Sequence, residues 1–333
     1  MQRKWKRHWQ RLHKIILPPL MASMLLVSAH NPAFANPAGA TVTSGAAVIT
    51  TNGSTMNINQ TTPSAIINWQ SFHIGPGETV NFLQPSASAV ALNRVVGSDP
   101  SAIYGTLHAN GKVYLVNPNG ILFAPGSQVN VGGLVASTLN ISDSNFINGS
   151  YVFEKDGTAA AVVNQRTLTA ADHVVLLGPQ VTNESTIAAR VTGLAAGNKV
   201  SLDFNGDQLL NVTVDTGALK GSVANSGTIT SKGGLVVMSA GTKDKLLNTV
   251  VNNSGMIQAQ SVHHVNGVIR LEGGSVTHSG TLDASGKGAG EGGGSVVLRA
   301  DSDAKVQVPL LSVPMARWLP TEPLLFITIQ LRR

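Results

Sequence analysis

The sequence predicts an all-β fold in which successive coils stack into a β-solenoid, and three observations predict it. The first is composition. Of 333 residues only 12% are charged and 5% aromatic, Gly numbers 35, and Val, Ile, Thr, Ser and Asn fill much of the rest. That mixture suits strands and turns and is too apolar for a disordered chain. The second is a pattern that returns from about residue 160: an apolar residue, Asn or a substitute two places on, then Ile or Leu, then a small residue. Its copies are VVNQRTLTA (162–170), VTNESTIAA (181–189), VANSGTITS (223–231), VNNSGMIQA (251–259) and VTHSGTLDA (276–284). The third is the absence of a 3.6-residue apolar period. Most copies are followed by a second strand-like run instead: HVVLLG (173–178), GLVVMS (234–239), GVIRLE (267–272) and SVVLRA (295–300).

The copies start 19, 42, 28 and 25 residues apart, a range typical of stacked repeats, in which each unit buries its apolar face only against the next. Asn at the repeated position tolerates left-handed backbone and is expected to stack on its copy as an amide ladder. The pairs Ser226-Gly227, Ser254-Gly255 and Ser279-Gly280 are expected to supply positive φ at the corners. The 42-residue gap contains KVSLDFNGDQLLNVTV (199–214), expected to hold a coil of weak signal that projects as a hairpin. An antiparallel β-sandwich is the alternative fold. It explains the alternating strands but not the returning Asn-Ser-Gly register.

The N-terminus reads as a secretory signal. Residues 1–35 carry six cations and no acid, followed by an apolar stretch over 15–29 that is too short to span a bilayer comfortably. Ala33 and Ala35 offer small side chains at the two positions a signal peptidase reads, with cleavage before Asn36. The partner implied is the general secretory machinery; an uncleaved anchor is the alternative. Removing residues 1–35 leaves 17 cations against 17 acids. The mature chain is then neutral, without a basic patch for nucleic acid. Cysteine is absent, so stability must come from packing and backbone pairing, and no disulfide can lock the chain before it crosses a membrane.

One corner stands out. In VYLVNPNGILFAPG (113–126), two strand-forming runs flank Asn117, Pro118, Asn119 and Gly120. This order suits a type I turn, with Pro at the second position and Gly at the fourth. The wider stretches INWQSFHIGPGETVNFLQPSASAVALNRVVG (67–97) and YGTLHANGKVYLVNPNGILFAPGSQVNVGGLVASTLNIS (104–142) resemble the haemagglutination-activity domain of filamentous-haemagglutinin-type exoproteins of two-partner secretion systems. The resemblance is close over 36–155 and looser over the repeats. It implies a right-handed parallel β-helix with an N-terminal cap, and a dedicated outer-membrane barrel transporter as partner. By resemblance, Asn117, Pro118, Asn119 and Gly120 lie in the region that transporter recognises. The same residues could serve only to shape the coil. Where some members carry a second Asn-Pro-Asn-Leu motif, this chain has Gln84, Pro85 and Ser86, which places it nearer the branch of high-molecular-weight adhesins.

The resulting organisation is a signal over 1–35, a secretion domain with cap and first coils over 36–155, β-helix repeats over 156–304 and a non-repeat tail over 305–333. The tail holds four prolines and a single barrel-strand-like stretch over 324–331, far short of the eight strands a self-made barrel requires, so a separate pore is expected. It reads as a truncation, a frameshift product or an end cap. The function expected is an adhesin or haemagglutinin that binds a host or neighbouring-cell receptor or glycan, at the surface of a Gram-negative bacterium or released from it. The alternatives are the export domain of a contact-dependent toxin or effector, and a β-helical polysaccharide-active enzyme.

Chemistry-bearing groups are sparse. An enzyme of the last kind needs paired carboxylates, for which Asp203 and Asp207, or Asp301 and Asp303, are the candidates. His263 and His264 are adjacent, so a strand sends them to opposite faces. Gly288, Gly290 and Gly293 match a dinucleotide fingerprint by letter, but a strand-like run follows where a helix is needed. No catalysis, cofactor or metal is expected.

Overall fold

The structure is a computed structural model that describes residues 36–157, 159–204, 210–231, 233–240, 250–261, 266–286 and 293–307, and the backbone of 326–331. Ala33, Ala35, Asp207, His263, His264, Gly288 and Gly290 lie outside the described residues, as does the side chain of Asp303.

The strands form a parallel β-helix with three faces. Face A is a sheet of ten strands, parallel from Thr55–Gln60 through Thr79–Leu83, Thr106–Ala109, Gln128–Val131 and onward to Thr281–Asp283. A seventeen-stranded sheet contains the other two faces. Face B runs from Ser64–Trp69 through Val90–Val95, Lys112–Val116, Gly133–Ser137, His173–Gly178, Val191–Ala196 and Leu235–Ser239. Face C runs from Ser101–Ile103 through Ile121–Phe123, Ala161–Asn164, Gln180–Asn183, Ser222–Asn225 and Val250–Asn253. The long strands Val268–His278 and Ser295–Val306 pass through both faces and merge them. These registers are parallel, so the β-sandwich is excluded. Among the described residues, antiparallel pairing within the column is confined to its start. There Thr41–Ser44 lies on Ser64–Trp69 and Ala47–Asn52 on Thr55–Gln60, forming a cap on the first coil's exposed edges. Phe326–Leu331, within the tail, adds one further parallel rung to face B.

Period-2 alternation sends every second side chain inward. The repeat's leading valines Val162, Val181, Val223, Val251 and Val276 therefore stack in register on face C, each at most 1% exposed. Two residues on, the same face points the amides of Asn164, Asn183, Asn225 and Asn253 inward. They form the expected ladder: Asn164 Nδ2 donates to Asn183 Oδ1, Asn183 to Asn225 and Asn225 to Asn253, each at 2.7 Å. The final rung is Asn253 Nδ2 to His278 Nδ1 at 3.0 Å, where the substitute residue accepts in place of an amide. All five side chains are buried, so each needs its partner; an orphaned group there costs about 1–3 kcal/mol.

The backbone reading of these corners is corrected. None of the ladder asparagines adopts positive φ; among the described non-glycine residues only Lys220 does. Nor do Gly227, Gly255 and Gly280. A Cβ on them would lie 1.9 Å from Ser185 O, 2.1 Å from Gly227 O and 1.9 Å from Gly255 O respectively. Glycine recurs because the coil beneath comes too close for any side chain.

The hairpin expected in the long gap is present: Lys199–Phe204 pairs antiparallel with Leu210–Thr216. It is joined on its other edge by Tyr151–Glu154, which follows the short helix Asp143–Ile147, N-capped by Ser142. This three-stranded sheet, the strap, covers part of the outer side of face B. Between them lies a second apolar core that includes Tyr114, Phe146, Phe153, Val175, Leu177, Leu202 and Val212. Among the described residues no helix is long and apolar enough to cross a membrane.

Candidate functional site

Asn117–Gly120 turns the chain from face B into face C, between Lys112–Val116 and Ile121–Phe123. Gly120 N donates to Asn117 O at 3.2 Å and closes the turn. Gly120 sits at φ 123°, a conformation that side chains other than hydrogen strain. Asn117 is fully buried, whereas Pro118 and Asn119 are half-buried.

The corner is bonded in three directions. Downward, Asn117 Nδ2 donates to Asp99 O and to Ser101 Oγ, both at 2.9 Å, and Asn119 Nδ2 donates to Gly97 O at 2.9 Å. Within the turn, Asn117 Oδ1 accepts from Asn119 N at 3.0 Å and from Asn119 Nδ2 at 3.2 Å. Upward, Asn117 N donates to Ser137 O, and Pro118 O accepts from Ala160 N, each at 2.9 Å. The Asn117 amide thus uses both donors and both acceptor positions inside the protein. What remains partly exposed at the corner is Pro118 and Asn119.

The stretch Gln84, Pro85 and Ser86 also rests on a buried amide, but here the amide oxygen, Gln84 Oε1, has no hydrogen-bond partner among the described residues. Gln84 is buried; its Nε2 donates to Gln60 Oε1 at 3.1 Å and to Ala89 O and Lys112 O at 3.2 Å. Its backbone exchanges two 2.7 Å bonds with the Asn110 amide. Pro85 and Ser86 are exposed. Asn36, the expected first residue after cleavage, lies against the first hairpin, with Nδ2 donating to Ser54 O at 3.2 Å.

The sequence model of the TPS secretion domain, TPS standing for two-partner secretion, matches residues 33–287. The chain belongs to this family. Two heme/hemopexin-binding proteins of Haemophilus influenzae are 35% and 33% identical to it over 262 and 246 residues. Those matches take in 75% and 66% of this chain but 29% and 26% of the relatives, so the chain spans less than a third of their length. The crystal structure of the HMW1 secretion domain from Haemophilus influenzae superposes with a TM-score of 0.64 at 27% identity, covering 82% of this chain and 84% of that one. The resemblance read from the sequence is the family found, and the parallel β-helix is its fold.

The TPS secretion domain holds a second polar constellation that sequence reasoning missed. Asp172 receives Lys112 Nζ at 3.1 Å, His173 Nδ1 at 3.1 Å and the Arg190 guanidinium. The hydrogen bond from His173, with those from Arg190 and Lys112, holds the Asp172 carboxyl well below the usual carboxylate range. Burial pushes the His173 imidazole below its ordinary value, and the Lys112 and Arg190 charges reinforce this. The imidazole packs between the Tyr114 ring at 6.3 Å and the strap's Phe204 at 5.0 Å, with Gly133 leaving room for its edge. It joins strap to column. A second anchor is Arg94, which donates to Ile141 O at 2.6 Å and Asn140 Oδ1 at 3.1 Å and pairs with Asp143 at 2.7 Å. The unbroken apolar run HVVLLG was the available signal, because a strand buried on both faces reads that way.

The remaining sequence candidates are dispersed. Asp203 lies in the strap hairpin, exposed, and Asp301 lies in the strand Ser295–Val306. Gly293 precedes that strand and not a helix. Among the described residues no group of three or more His, Cys, Asp or Glu could hold a metal ion.

Proposed function

We propose that this TPS secretion domain is carried across the outer membrane by a separate barrel transporter after signal-directed export to the periplasm, and that the Asn117–Gly120 corner commits the chain to that route by building the first coils. The observation that supports this reading is the burial of Asn117, whose amide nitrogen is bonded to the adjacent coil and whose amide oxygen is bonded within the turn. A transporter that grips the finished corner meets Pro118 and the edge of Asn119, not the Asn117 amide. Residues 36–155 then supply the export function, 156–304 extend the column, and 305–333 form a non-repeat tail.

The test is Asn117→Ala combined with Gly120→Ala, expressed with the barrel partner. The reading expects loss of secretion and, in the purified variant, impaired refolding of the first coils. Full secretion overturns it. A variant that refolds like the parent yet stays in the periplasm assigns the corner to direct recognition instead.

For the exported protein we infer a binding role, as an adhesin or haemagglutinin of the bacterial surface. A second reading is favoured by the names of the two relatives: a heme- or hemopexin-binding exoprotein. Binding of the secreted protein to erythrocytes, set against its retention on hemin-agarose, separates the two.

A further inference from the structure

Stacked coils ordinarily add one at a time, because each contacts only its neighbours. Face B departs from this rule. Its outward column runs in register through Tyr114, Val135, Val175, Gly193 and Val237 before reaching the charged Arg270. Tyr114, Val135, Val175 and Val237 are at most 1% exposed although they point away from the column's interior. What covers this face includes chain that comes later. Tyr151 reaches Tyr114 at 5.5 Å between ring centroids and Phe204 at 5.2 Å, while Lys112 Nζ stands 5.6 Å over the Phe204 ring. Gly193 shows how close the fit is: a Cβ there would meet Val212 Cγ2 of the strap at 3.0 Å. Tyr114, Val135 and Val175 therefore belong to coils whose outer surface depends on residues up to about a hundred positions downstream.

We propose that the strap is a folding latch: the coils from Lys112 to Ala196 do not hold as a column until Lys199–Phe204 and Leu210–Thr216 have closed over them. Column formation in this region is then one cooperative step and not a coil-by-coil addition. For a chain that emerges N-terminus first, which rests on the export reading above, the column locks only once Thr216 is outside.

The test uses the purified full chain and no transporter, so its failure is separate from failure of the export reading. In pulse-labelled hydrogen exchange during refolding, amides of Gly133–Ser137 and His173–Gly178 gain protection in the same kinetic step as those of Lys199–Phe204. Protection of the two column strands at least about tenfold ahead of the strap overturns the proposal. A second arm introduces Val212→Asp, which places a charge against the apolar face without altering a column strand. Native-state exchange in Lys112–Val116 and Gly133–Ser137 is expected to accelerate about 100-fold or more. A variant unable to fold at all counts the same way, and acceleration confined to 199–216 counts against the latch.

Discussion

Two corners of this molecule bury an asparagine, and they use it differently. At the corner from face C to face A, Asn164, Asn183, Asn225 and Asn253 bond to one another, each amide donating to its copy in the next coil. At the corner from face B to face C, Asn117 has no copy to meet; it bonds to Asp99 O, Ser101 Oγ and Asn119. The ladder is self-complementary, so a further rung needs only another Asn, or an acceptor such as His278, at the same offset. The Asn117 corner is a single joint whose partners occur once. Repetition builds length in the first case; in the second, a unique contact specifies where the early coils turn.

The largest effect that sharpens this contrast is expected at mid-ladder. Asn225→Leu leaves Asn183 Nδ2 without its acceptor and Asn253 Oδ1 without its donor, both in the interior. At about 1–3 kcal/mol per orphaned group the loss is about 4 kcal/mol, read as a lower urea midpoint at unchanged slope. Next is Gly255→Ala, whose Cβ would lie 2.1 Å from Gly227 O. A backbone carbonyl cannot yield as a side chain can, and about 3 kcal/mol is expected. Gly53→Ala is its control: nothing lies within 4 Å there and only the positive φ is strained, so about 1 kcal/mol is expected. Equal losses at the two glycines would show that backbone conformation, not coil approach, selects glycine in the repeat. Asn117→Ala comes between, at about 2 kcal/mol, since one edge of its turn is half-exposed and water can replace part of what is lost.

The smallest effect is a pH dependence at the ladder's end. Burial holds His278 below its ordinary pKa of 6.5, and its Nδ1 must be unprotonated to accept from Asn253. The unfolded chain takes up a proton near that ordinary value while the folded chain resists it. Stability from this group is therefore full above about pH 6.5 and declines as pH falls through it toward the depressed folded value. His173 contributes with the same sign. His278→Asn offers a carbonyl oxygen that does not titrate, so the fall in urea midpoint between pH 7 and pH 5 should shrink. An unchanged fall removes His278 from the account.

What the sequence revealed and what it concealed divide along the range of the interaction. The ladder was legible because Asn and Val recur two residues apart, and a period of two places both on one face. The hairpin was legible as an excess of residues between two copies. The role of Ser226-Gly227 and its copies was misread because glycine is a local turn signal, whereas the constraint comes from a carbonyl in the adjacent coil. The partners of Asn117, Asp99 and Ser101 among them, are equally non-local. The strap left a trace in HVVLLG and VTGLAA, whose six residues are buried throughout, but such a run announces a cover without naming it.

The central claim is that the Asn117 corner matters to export for its place in the first coils and not for its share of total stability. The most direct measurement is secretion, in one strain carrying the barrel partner, of Asn117→Ala beside Asn225→Leu. The account predicts that the Asn117 variant is retained while the less stable Asn225 variant still reaches the medium. Secretion that simply follows the urea midpoints, with Asn225→Leu the more impaired, would contradict it.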